Sequence, residues 1–167
     1  MNRLQEKVLA EVDLAGLVDT LCELIAIPSE GGYETPAQER MAELMATVGL
    51  TTDVWSIDFE SLRRHPAYTV EIERDQGLGV VGSFGSGKGP TLILNGHIDV
   101  VPAGEAARWS VPPWQGTVRQ GRVFGRGSVD MKGGLCCALF AVKAVRDAGV
   151  KLAGTVVIHS VIGEEDG

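Results

Sequence analysis

In Thr91-Leu92-Ile93-Leu94-Asn95-Gly96-His97-Ile98-Asp99 a short apolar run closes on a glycine, a histidine and an aspartate. The run has the length of a strand. Its near-continuous apolarity is the pattern of a strand covered on both faces. Val80-Val81 and Thr155-Val156-Val157-Ile158 repeat it on either side. Between the last two, the spacing predicts a helix from about Lys132 to Ala148, with Leu135, Leu139, Val142 and Val145 as its apolar stripe and Gly149 as its stop. Strands separated by helices specify an α/β fold, a layered sheet with helices on both faces.

Working outward, Asp13 to Ile27 carries apolar residues at helical spacing, with Asp13 at the start and Pro28 at the end. A second helix is expected from Thr35 to Val48, with Thr35 as cap, Pro36 at the first helical position and Gly49 as the stop. Thr51 to Ile57 alternates like a strand, and Thr117 to Phe124 reads as a hairpin turning at Gln120-Gly121. Asp58 to Gln76 is charged and yields no clear element. There is no internal repeat or low-complexity linker, so no domain boundary is placed inside the chain.

The 167 residues suffice for one domain with a real core, at 44% hydrophobic and 22% charged residues. A net charge of −7, with no basic run interleaved with aromatics, argues against a nucleic-acid surface. The polar start Asn2-Arg3-Leu4-Gln5-Glu6-Lys7 is not a signal peptide, and no apolar run reaches the ~20 residues needed to span a bilayer. Cys22, Cys136 and Cys137 are odd in number and lack CxxC spacing, so they are expected to be buried reduced thiols of a cytoplasmic protein.

Three clusters of His and carboxylate follow apolar runs or precede a helix. His97 and Asp99 stand at the carboxyl end of a predicted strand, the edge where open α/β sheets bind ligands. A metal-binding His commonly gives its second N–H to a carboxylate, and Asp99 is spaced for that role or for aligning a neighbour. The plainer alternative is a His satisfied by a local hydrogen bond, with Asp99 capping a turn. Asp130 lies in Gly125-Arg126-Gly127-Ser128-Val129-Asp130-Met131-Lys132-Gly133-Gly134. It is either the N-cap of the long helix or a carboxylate that its glycine neighbours free to point into a site and bridge two metals. Glu164 and Glu165 repel each other unless a cation or a proton separates them. They form either a solvated acidic loop or a pair in which one carboxylate ligates and the other moves a proton. The donors are all imidazole and carboxylate, which suits Zn²⁺, Mn²⁺ or Co²⁺.

Two glycine patterns point elsewhere. Gly77 to Gly82 matches GxGxxG, and Gly82 to Gly89 nearly matches a P-loop. Both motifs need a helix after the glycines, whereas Gly89-Pro90 leads into the Thr91 strand. The region is read as two strands joined by a Gly-rich hairpin, without nucleotide binding.

Taken in order, Asn95 to Pro102, Gly125 to Gly134 and Gly163 to Gly167 resemble three successive signatures of the acetylornithine deacetylase / succinyl-diaminopimelate desuccinylase / carboxypeptidase G family of dinuclear zinc hydrolases. The Trp109 to Trp114 loop and Ile25-Ala26-Ile27-Pro28-Ser29 resemble the family as well. The resemblance implies a zinc-peptidase-like catalytic domain with two Zn²⁺ per complete site, Co²⁺ or Mn²⁺ being alternatives. It implies that His97 ligates one zinc, Glu165 the other, and that Asp130 bridges them. Glu164 would be the general acid/base, and Asp99 would orient His97. The implied reaction is hydrolysis of an amide bond in a small N-acyl amino acid or peptide, with no nucleic-acid or membrane partner and a homodimeric complete protein.

Family chains are much longer. By that pattern residues 1–167 form the N-terminal portion of the catalytic domain, with the lid and dimerisation domain and the C-terminal portion absent. Each zinc would lack one ligand, and this chain alone is expected to have little or no activity. A non-catalytic α/β interaction module that retains the metal motifs is the alternative. Negligible Zn²⁺ binding, unchanged by Asp130→Ala, would favour it.

Overall fold

Asp13 begins the helix that the apolar spacing predicts, its carboxylate accepting from the Gly16 N–H at 2.9 Å. A computed structural model describes residues 2–166, so Gly167 of the third motif lies outside the described residues. Helix α1 (Arg3–Ala10) was not legible as a helix. Asn2 and Gln5 form a reciprocal capping box at its start, which supplies partners for orphan N–H groups. Helix α2 spans Leu14–Ile25 and α3 spans Thr35–Thr47. Thr35 is not the cap of α3. Glu34 occupies that position, and its side chain is engaged elsewhere.

Strand β1 (Thr51–Ser56) and the one-turn helix α4 (Phe59–Leu62) follow, then β2 (Leu78–Gly85) and β3 (Thr91–His97). After a short 3₁₀ turn at Ala106–Arg108 come β4 (Thr117–Arg119), β5 (Arg122–Phe124), α5 (Lys132–Asp147) and β6 (Thr155–Val161). Strands β4 and β5 form the expected hairpin, with Gln120 at φ 53° in the turn.

The main sheet has the order β1-β2-β6-β3, and β6 runs parallel to β3 but antiparallel to β2. This corrects one expectation. Strands β2 and β3 are not a hairpin, because β6 inserts between them. The Gly-rich segment instead arches over the start of β6, with Ser86 N donating to Gly154 O and Thr155 N to Pro90 O. A Cβ at Gly85 would meet Gly154 O at 2.3 Å, so the close crossing requires glycine there. No phosphate-binding helix follows these glycines.

Side-chain parity sorts the faces. Val80, Ile158 and Gly96 point to one face, where Leu24, Ile25, Met41, Met45 and Leu139 complete a core at 0% exposure. Helices α2, α3 and α5 supply that layer. On β3, which with β1 forms the edges of this sheet among the described residues, Leu92 and Ile93 point to opposite faces and are 56% and 53% exposed. Parallel pairing is what positions the site. His97 lies opposite Val161, so the chain leaves β3 and β6 at the same edge, side by side.

Candidate metal centre

His97 is the last residue of β3 and is 4% exposed. Its Nδ1 lies 2.9 Å from the Asp99 main-chain oxygen, and its Nε2 lies 3.1 Å from Asp130 Oδ1 and 3.7 Å from Glu164 Oε2. A carbonyl only accepts, so Nδ1 carries the proton in that bond. Nε2 of the neutral ring then turns a lone pair toward carboxylate oxygens. Such a contact needs a proton or a cation between the groups. Burial works to lower the His97 pKa, but the Asp99 carbonyl and the Asp130 and Glu164 carboxylates outweigh it and hold the pKa above its ordinary value.

The chain beyond His97 is tightly fixed. Ile98 N donates to Val161 O, Ser29 Oγ donates to Ile98 O at 2.6 Å, and Val100 N donates to Ser29 O. Asp99 is 1% exposed, and its Oδ2 accepts from Glu165 N at 3.0 Å. Its Oδ1 lies 3.6 Å from His97 Nδ1 and accepts no hydrogen bond among the described residues. Asp99 thus holds the ring through its carbonyl and the other loop through its carboxylate.

Asp130 does not cap α5. The cap position is Met131, and the Asp130 side chain is 74% exposed and turned to His97. The Asp130–Met131 peptide is cis. Two residues on, Lys132 is wholly buried, and its Nζ donates to Leu24 O at 2.9 Å and Ile27 O at 2.8 Å. These carbonyls lie at the C-terminal end of α2, where orphan acceptors favour a cation. Burial lowers the Lys132 pKa to about 8. Gly127, at φ 81°, lets the loop lie on Val100 and the Lys132 stem.

Glu164 stays 62% exposed, while Glu165 is half-buried. Burial first, then Asp130, raises the Glu165 pKa. Ligand atoms of His97, Asp130 and Glu165 all lie within 4.8 Å of one another. One imidazole and two carboxylates converge around a buried ring lone pair, a donor set that fits a borderline divalent cation.

Sequence reasoning missed Ser29, Lys132, Glu34 and Arg74. Lys132 had a signal, a lone cation opening an apolar helix. Arg74 had none, because it lies in the charged stretch that yielded no element. The cysteines also depart from expectation: all three are free, but Cys22 is only half-buried and Cys137 is exposed. No helix among the described residues is long and apolar enough to cross a membrane.

Residues 93–167 match the model of peptidase family M20/M25/M40. The chain is 34% identical to N-formyl-4-amino-5-aminomethyl-2-methylpyrimidine deformylase of Halalkalibacterium halodurans, an alignment covering 97% of this chain and 36% of that protein. It is 29% identical to the probable succinyl-diaminopimelate desuccinylase of Staphylococcus epidermidis, over 95% of this chain and 34% of that one. The fold is similar to human carnosine dipeptidase 1, with a TM-score of 0.72 and 26% identity over 95% of this chain and 34% of that one. The chain spans about a third of the length of these relatives. Residues 93–167 carry the family match, and the relatives and the layered α/β fold extend the likeness along the rest of the chain, so this chain resembles the catalytic part of peptidase family M20/M25/M40.

Proposed function

We propose that this chain is the N-terminal portion of a catalytic domain for metal-dependent hydrolysis of an amide bond in a small N-acyl amino acid or peptide. The observation that carries the reading is the convergence of His97, Asp130 and Glu165, with ligand atoms within 4.8 Å of one another. These three would hold the metal, with Asp130 between two ions and zinc the favoured species. A bound divalent metal would lower the pKa of a water and polarise the acyl carbonyl.

The chain's own groups do the rest. Glu164, exposed beside the ring, takes the proton of the attacking water and hands it to the departing amine nitrogen. Asp99 keeps His97 oriented through its carbonyl and Glu165 in place through its carboxylate. The deformylase and desuccinylase names of the relatives favour a short acyl group, formyl or succinyl. Free thiols fit a cytoplasmic location, and a dimeric whole protein belongs to the same proposal.

Calorimetric titration with Zn²⁺ tests the site. The 167-residue chain is expected to bind, and Asp130→Ala and His97→Ala to weaken binding at least 100-fold. Glu164→Gln is expected to leave Zn²⁺ affinity nearly unchanged. Negligible binding by both the native chain and Asp130→Ala would favour a non-catalytic interaction module instead. Amine release from N-formyl, N-acetyl and N-succinyl compounds is expected to be slow for these 167 residues, and rapid turnover would sink that expectation.

A further inference from the structure

Three residues far apart in sequence meet beneath the Glu164-Glu165 loop. Arg74, Glu34 and Asp166 are 4%, 1% and 8% exposed. Arg74 donates through Nε and Nη2 to Glu34 Oε1, at 2.9 and 2.5 Å, and through Nη2 to Asp166 Oδ1 at 3.0 Å. Its Nη1 donates to Ile72 O, and Glu34 Oε1 also accepts from Gly32 N. Glu71 N donates to Asp166 O, so segment 71–74 straps the end of the loop through main chain and side chain together.

The packing is close. A Cβ at Gly31 would fall 2.7 Å from Asp166 Oδ2, and one at Gly163 would lie 3.7 Å from the Arg74 guanidinium carbon. Buried ion clusters are weak evidence of stabilisation, since well-packed apolar residues often serve as well. Such a cluster does impose geometry. Glu165 sits between two ties, its own N–H on the Asp99 carboxylate and its neighbour Asp166 on Arg74. Pairing with Arg74 also occupies the Asp166 carboxylate, which would otherwise be a third acid in the loop free to compete for a cation.

We infer that Arg74 is a positioning residue of the metal centre: by holding Asp166 against Glu34, it fixes the loop so that Glu165 faces His97 and Asp130. The inference rests on reading those three residues as metal ligands.

Purified native chain, His97→Ala, Asp166→Asn, Arg74→Lys and Arg74→Met are titrated with Zn²⁺ by calorimetry. Visible spectra with Co²⁺ and thermal unfolding without metal are recorded for each. Asp166→Asn keeps the shape and the Arg74–Glu34 pair. It is expected to unfold near the native temperature yet bind Zn²⁺ about tenfold more weakly, with an altered Co²⁺ spectrum. Arg74→Lys is expected to retain more affinity than Arg74→Met. If Arg74→Met does not fold, Asp166→Asn and Arg74→Lys decide. Native affinity and spectrum in those two, with binding lost in His97→Ala, would overturn the role of Arg74 and leave the metal reading standing. A native chain that binds no better than His97→Ala would overturn both.

Discussion

After β3 the chain passes through Ile98 and Val100, both essentially unexposed, and is held by apolar packing and main-chain hydrogen bonds to Ser29 and Val161. After β6, its parallel neighbour, the chain passes through Gly163, Glu164, Glu165 and Asp166 and is held by the Arg74 guanidinium and the Asp99 carboxylate. The two loops leave the same sheet edge and contribute to the same site, but different physics fixes them. The His97 loop belongs to the core. The glutamate loop is tied by charge, over contacts that span 92 and 66 residues of chain.

The contrast can be broken by substitution. The largest effect is expected from Arg74→Met, which strands two buried carboxylates. Urea unfolding should show a loss of about 3–5 kcal/mol. Ile98→Ala on the other loop is expected to cost about 3 kcal/mol, since it leaves a cavity at a fully buried position. If Ile98→Ala proved much costlier than Arg74→Met, charge would not be what holds the second loop. Ser29→Ala removes a single hydroxyl donor from Ile98 O and should cost about 1 kcal/mol by the same measurement.

The smallest effect tests how dry the first loop's support is. Cys136 lies in the core cluster with Ile98, and burial pushes its thiol up to about 12. Above its ordinary pKa of 9.0 the unfolded chain loses this proton while the folded chain keeps it. Stability therefore falls as pH rises through that window. Between pH 8 and 10 the native chain should lose about 1 kcal/mol more than Cys136→Ala. Equal losses would mean that water reaches this part of the core.

The first loop was legible because its determinants are adjacent in sequence. An apolar run that ends in Gly96-His97-Ile98-Asp99 marks a strand end wherever it occurs, and the α5 stripe marks the crossover that follows. Alternation and a Gln-Gly turn marked the β4–β5 hairpin. The second loop was legible in its acids but not in its support. Arg74 stands among charged residues that local periodicity cannot sort. Only burial distinguishes it from Arg63 and Arg64, which pair with acids at or near the surface. Helix α1 was missed because its face buries nothing, although the Asn2–Gln5 capping box was present in the residues.

Local sequence determined the elements, the residues that could bind a metal and the strand ends that carry them, because those depend on side-chain type and short periodicity. Tertiary structure alone decided that β6 inserts between β2 and β3, so that the two loops emerge together. It also decided that Asp130 turns to His97 instead of capping α5, and that Arg74 meets Asp166 under the glutamates. Strand order and buried charge pairing arise from contacts between residues far apart in the chain, and no local pattern encodes them.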